Sequence, residues 1–217
     1  MDRFVPLSAG EWRAFERVLT RRTVRKGAAL LAVGQRCERV AVVERGLFRT
    51  FYVTDGEELT VELTREGELL SNYASLLTHS PSSYAIEALE DSSLVELDGR
   101  DLTRLYQQLP LGERLGRLVA ERLFVHSVAR STRLLTQSPE ARYLALRAEA
   151  PDLLQRVRQY HVASYLGISP ETLSRIRRRV ATQRIATATA AERPSNMKAP
   201  RSKLGNPKVP RAPREKP

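Results

Sequence analysis

The spacing of apolar positions along the chain changes twice, and the changes divide it. Ser8-Ala9-Gly10-Glu11 reads as a capping box, and Trp12, Phe15, Val18 and Leu19 follow at helical spacing. This predicts a short opening helix ending near Thr20. From Thr23 to Leu97 the apolar runs become short or alternating, at residues 28–32, 40–43, 47–53, 59–63 and 93–97. Gly27, Gly34, Gly46, Gly56 and Gly67 punctuate them, and Asp55-Gly56 is a good hairpin turn. Short strands with such regular turns predict an antiparallel β-barrel or jelly roll.

The helical period then returns. Residues 98–109 read as a short helix, broken by Pro110. Residues 111 to about 135 form the longest uninterrupted helical pattern. Leu111, Leu115, Leu118, Arg122, Val125, Ala129 and Thr132 make a heptad seam, and Val119, Leu123, Phe124, Val128 and Leu135 widen the apolar surface. One face would pack on the barrel while the seam meets a second copy, although an ordinary core helix would show a similar pattern. Ser138-Pro139-Glu140 opens a further helix to Ala150 with Tyr143, Leu144 and Leu146 inward, and Pro151 and Asp152 turn the chain.

Residues 159–179, QYHVASYLGISPETLSRIRRR, read as two helices around a tight turn. Val162, Ala163 and Leu166 share one face of the first. Gly167 stops it, and Ile168 follows as a buried plug. Ser169-Pro170-Glu171 supplies a capping hydroxyl, a proline with φ already set and an acid in the first turn. Leu173, Ile176 and Val180 then face inward at i, i+3 and i+7. Ala163 lets the second helix cross closely, and the combination meets the packing demands of a helix-turn-helix. The outer face carries Glu171, Thr172, Ser174, Arg175, Arg177, Arg178 and Arg179. Near the helix start, arginine can grip guanine and glutamate can accept from cytosine. The later arginines suit phosphates. A plain helical hairpin with a solvated basic face is the bland alternative.

The ASYLGISPETLSRI run resembles the recognition motif of the Crp/Fnr family of bacterial transcription regulators, with Glu171, Ser174 and Arg175 at its E-x-x-S-R positions. The resemblance covers roughly residues 8 to 180. It implies an α+β chain with a cyclic-nucleotide-binding-like sensor barrel (1–110), a dimerisation helix (111–136) and a helix-turn-helix DNA-binding domain (137–182); beyond it, composition predicts a disordered basic, Pro-rich tail (183–217). Where the cyclic-AMP receptor branch often has arginine, this chain has Pro170, which removes one contact.

In the family's barrel a short cassette holds a ligand phosphate with an arginine and backbone N–H groups, and a glutamate takes the ribose hydroxyl. Gly67-Glu68-Leu69 matches its opening. The segment from Ser82 to Ala88 falls on the R-S-A strand, with Ser82 where arginine is expected and Ser83 beside it. Serine lacks the planar charged fork that grips phosphate, so cyclic AMP is not the expected effector; a different small effector, or none, stays open, and no cofactor is expected. Alignment with the family places His126 and Ser127 near the ligand pocket.

Composition narrows the classes further. The net charge of +11 favours an anionic partner, and residues 183–217 hold nine Lys/Arg against two Glu and six of the twelve prolines. Low hydrophobicity and high charge predict disorder there. The tail is either an electrostatic arm for DNA or an inert appendage. The single cysteine, Cys37, excludes an internal disulfide and the cysteine-ligated clusters of oxygen-sensing family members. His79, His126 and His161 are scattered, with no H-x-H pair, and no phosphate loop or nucleophile elbow occurs, so no enzyme and no metal site is expected. No apolar run approaches the roughly 20 residues that span a bilayer, and no signal pattern opens the chain, which reads as cytoplasmic. The expectation is a homodimeric, sequence-specific transcription regulator reading an inverted repeat in double-stranded DNA, with room for RNA polymerase as a partner and no membrane contact. The alternative is a small-ligand or cyclic-nucleotide sensor whose helical end docks a protein.

Overall fold

The structure is a computed structural model that describes residues 8–109 and 112–191. The chain forms two compact units that part after Arg177. Helix α1 (Ala9–Glu16) opens the first unit. Its capping box forms as the sequence predicts, with Ser8 accepting from Glu11 N–H and Glu11 accepting from Ser8. The helix ends earlier than Thr20, because Thr20 already pairs with Glu96 in the first strand.

Eight strands follow: β1 (Thr20–Val24), β2 (Ala29–Leu31), β3 (Arg39–Arg45), β4 (Phe48–Thr54), β5 (Glu57–Thr64), β6 (Leu69–Leu70), β7 (Ala85–Ala88) and β8 (Ser92–Asp98). They make two four-stranded antiparallel sheets, ordered β1-β8-β3-β6 and β2-β7-β4-β5. Inward residues of both, including Val24, Leu31, Val43, Phe48, Ile86 and Leu94, fill one core. The β4–β5 hairpin turns at Asp55-Gly56, both at positive φ (53° and 81°). That mirror-image turn matches the twist of its strands, and glycine adopts it without steric cost.

Three elements in this half escape the sequence pattern, among them the two-residue β6, held by pairing with β3. β1 buries only Val24 and owes its place to pairing with β8. The six-residue helix α2 (Tyr73–Thr78) is too short to show a period.

Helix α3 (Gly99–Gln108), capped by Asp98, and helix α4 (Gly112–Thr136) follow the sheets. Leu97, Leu102, Leu105 and Leu115 pack with Phe15 in a second core, and Leu118 and Val119 rest against it. The heptad seam is therefore divided. Leu115 and Leu118 serve the chain's own core, while Phe124 (70% exposed), Val125, Val128 and Leu135 (87%) form the outer stripe. Leu111 and Pro110 lie outside the described residues.

Helix α5 (Pro139–Glu149) buries Tyr143 and Leu146 but leaves Leu144 largely exposed, which corrects its inward assignment. A four-residue helix, α6 (Leu153–Arg156), fills the bend after Asp152. Helices α7 (Gln159–Tyr165) and α8 (Pro170–Ala191) complete the described chain. α8 runs ten residues past Ala181, where the sequence pattern loses order. The Ala-rich segment is helix-forming and meets no proline before Pro194. The remainder of the tail, residues 192–217, lies outside the described residues. Among the described residues no helix is long and apolar enough to cross a membrane.

Candidate nucleic-acid interface

The turn between α7 and α8 is built from backbone hydrogen bonds. Gly167 N–H donates to Ser164 O (2.9 Å) and Ile168 N–H to Ala163 O (3.0 Å), a paired closure that satisfies the last carbonyls of α7. It requires the left-handed backbone of Gly167, whose φ is +65°. Ile168 is half-buried rather than a full plug. Ser169 Oγ accepts from Thr172 N–H (3.2 Å) and caps α8.

The two faces of α8 fall as their spacing predicts. Leu173, Ile176 and Val180 are buried, and Ala163 is fully so. Glu171, Arg175, Arg177, Arg178 and Arg179 are exposed, with Thr172 and Ser174 half-buried between the faces. Arg175 Nη2 donates to Thr172 Oγ1 (3.0 Å), which aligns its side chain along the first turn. A guanidinium has five donors, so most of this one still faces solvent. The Glu171 carboxyl is held below its ordinary range by its own backbone N–H, then by the Ser169 hydroxyl and the Arg175 charge. It is therefore a firm acceptor at neutral pH.

Residues without any sequence signal position this pair. Arg142 of α5 donates from Nε to Leu166 O (2.9 Å) and from Nη1 to Leu134 O (3.1 Å) and Gln137 O (2.7 Å), stapling the end of α4 to the turn. Ser164 Oγ accepts from Thr60 N–H of β5 (2.8 Å), so α7 is seated on the barrel's β5 strand. Beside it, the buried Arg49 guanidinium meets Glu58 (2.6 Å), Glu87 and the face of Phe51, and its Nη1 donates to His161 Nδ1 (3.1 Å). An imidazole accepting from arginine must be neutral at that nitrogen. Burial and the Arg49 charge push the His161 pKa down to about 4. A second arginine, Arg156 of α6, bridges Glu66 (2.7 Å) and Glu90 (2.8 Å), which draws the Glu66 carboxyl down to about 2. Arg65 reaches Asp152 at 2.6 Å.

Of the residues expected to line a barrel ligand, Glu68 and Ser82 have other partners. Glu68 accepts from Arg65 N–H (3.0 Å) and braces the β5–β6 turn. Ser82 is buried. Its hydroxyl accepts from Asn72 Nδ2 (2.7 Å) and donates to Tyr84 O (2.6 Å). Ser83 and Ser127 are exposed, and His126 Nδ1 lies 3.7 Å from Glu62. Among the described residues no hydrogen bond or ion pair joins these five to one another. Asn72, whose side chain also caps α2 by accepting from Ser75 N–H, is the partner that sequence reasoning missed. No group of three or more His, Cys, Asp or Glu among the described residues is placed to hold a metal ion.

Residues 21–109 match the family model of the cyclic nucleotide-binding domain. No curated protein sequence matches the chain. Among solved structures it resembles the catabolite activator protein of Thermus thermophilus at 28% identity and a TM-score of 0.51, covering 83% of this chain and 86% of that one. It shares its fold with FixK2 from Bradyrhizobium japonicum (20% identity, TM-score 0.66, 76% and 86% of the two chains). The same holds for the c-di-GMP responsive global regulator CLP of Xanthomonas campestris (16%, 0.64, 81% and 93%). The paired antiparallel sheets over residues 21–109 thus match the cyclic nucleotide-binding domain, and over most of its length the chain resembles solved bacterial regulators that carry this fold.

Proposed function

We propose that this chain is a dimeric transcription regulator that reads an inverted DNA repeat with α8. The observation that carries the reading is the helix pair itself: a close-packed apolar crossing behind an exposed row in which Glu171 and Arg175 stand one turn apart at the start of α8. That spacing suits two neighbouring base edges in the major groove, with Arg175 gripping guanine O6 and N7 and Glu171 accepting from cytosine N4. Ser169, Thr172 and Ser174 are the polar flank, and Arg177, Arg178 and Arg179 face the phosphates. The apolar stripe of Phe124, Val125, Val128 and Leu135 supports pairing of two α4 helices. Pairing would set two readers on half-sites about 34 Å apart.

The effector in this reading is not cyclic AMP. A phosphate needs a cationic fork, and the Ser82 hydroxyl is already committed to Asn72 and Tyr84. Neighbours named as an activator protein and a global regulator support a regulatory rather than an enzymatic role. The test is selection of random duplex DNA by the full-length protein at about 150 mM salt, where nonspecific phosphate binding is weak. An enriched inverted repeat is expected, and Arg175→Ala should lose about 1–3 kcal/mol at one base pair of each half-site. Binding without an enriched sequence would favour a sensor whose helices dock a protein.

A further inference from the structure

The inner face of the β1-β8-β3-β6 sheet carries a charged group that the DNA reading does not use. β8 alternates Ser92, Leu94 and Glu96 toward the interior, and Glu96 is only 3% exposed. A carboxylate buried in a barrel is costly unless it is paired. Arg22 of β1 and Arg39 of β3 supply the pairing, with Nη1 atoms 3.3 and 3.5 Å from its two oxygens.

The pairing leaves cationic capacity over. Each guanidinium meets Glu96 through a single nitrogen, and each side chain is about half exposed. Both arginines line a cavity of about 160 Å³ that also takes in the buried core residues Leu31, Leu70 and Ile86. Arg36 lines the same cavity and has no side-chain ion pair among the described residues. Three guanidiniums face two carboxylates there, Glu96 and Glu38, so one positive charge is left over. None of Glu68, Ser82, Ser83, His126 and Ser127 takes part.

From this geometry we infer that the cavity binds a small organic monoanion: a carboxylate held by Arg36 and Arg39, with a compact aromatic or short aliphatic body against the leucine and isoleucine side chains. Planar guanidinium forks suit carboxylate oxygens. The cavity is partly open and lined by polar as well as apolar side chains, and its volume is close to the ~150 Å³ that takes a benzene ring, whereas drug-sized ligands need roughly 300 Å³ or more. The volume therefore selects a benzoate-sized acid over a nucleotide. The site stands apart from the DNA reading, since binding is measured on the protein alone.

The experiment is calorimetric titration of the full-length protein with benzoate and with hexanoate, using benzyl alcohol as the uncharged control. Saturable binding of at least one acid is expected at concentrations up to about 10 mM, with benzyl alcohol at least about ten-fold weaker, a factor worth about 1.4 kcal/mol. Arg36→Ala should weaken the acid by a similar factor. Its side chain is exposed and unpaired, so the fold does not depend on it. Glu96→Gln releases both guanidiniums and should tighten binding. Absence of saturation by either acid, equal affinity for the alcohol, or an unchanged affinity in Arg36→Ala would each overturn the inference.

Discussion

At Gly167 the chain takes a φ of +65°, and a Cβ placed there would lie 3.3 Å from Leu134 Cδ2. Gly167→Ala is expected to cost about 1–2 kcal/mol, seen as a lower unfolding midpoint in urea and, on the proposed reading, as weaker DNA binding. His161 makes a pH prediction. Its folded pKa is near 4 against an ordinary 6.5, so the unfolded chain takes up a proton that the fold refuses. The stability it contributes is full above pH 6.5 and is lost as pH falls from there toward 4, by on the order of 2–3 kcal/mol. His161→Gln keeps an acceptor for Arg49 and cannot titrate. Urea midpoints at pH 7.5 and 5 should therefore fall further in the wild type than in this variant, and an equal fall would remove His161 as the cause. Gly167 was legible in the sequence. It ends one helical pattern two residues before the cap of the next, where the chain must turn sharply, and glycine takes the left-handed backbone that such a turn needs. The role of His161 was not legible, because its partner Arg49 lies 112 positions away.

At the scale of elements, α4 does two jobs along its length. Its first turns are core, through Leu115, and its later turns offer Phe124 and Val128 to solvent. On the proposed pairing of two α4 helices, the double change Phe124→Glu and Val128→Glu should leave the circular dichroism spectrum intact and shift sedimentation from dimer to monomer. A dimer that persists would show that another surface pairs the copies. Leu115→Glu, in contrast, places a charge in the second core and should unfold the protein. The strands with turn glycines between them, the capped starts of α1 and α5, and both faces of α8 through Val180 were readable, because each rests on local periodicity or on a cap within three residues. β1, β6, α2 and α6 were not. Their sequences carry too few buried positions, and neighbours hold them in place.

For the first unit as a whole, the contact between the barrel and the helices is polar. Arg49 reaches His161, Thr60 meets Ser164, and Arg156 bridges Glu66 and Glu90. Such a contact can be loosened without unfolding either side. Arg156→Ala is expected to cost only about 1 kcal/mol in overall stability, its pairs being partly exposed. It should nevertheless speed amide hydrogen exchange in α6 and α7 while leaving β3 and β8 protected, and uniform exchange across both would refute a separable contact.

The sequence by itself determined the change from helix to strands and back to helices, the turn at Gly167 and the basic outer face of α8. These follow from backbone preferences and from which side of one element is apolar. Only the tertiary structure decided that Ser82 is committed to Asn72, that Leu115 belongs to the core, that Arg142 staples three segments and that Glu96 gathers Arg22 and Arg39. Each of these joins positions remote in the chain, and a side chain's partners are set by which distant segments packing brings within reach of a hydrogen bond.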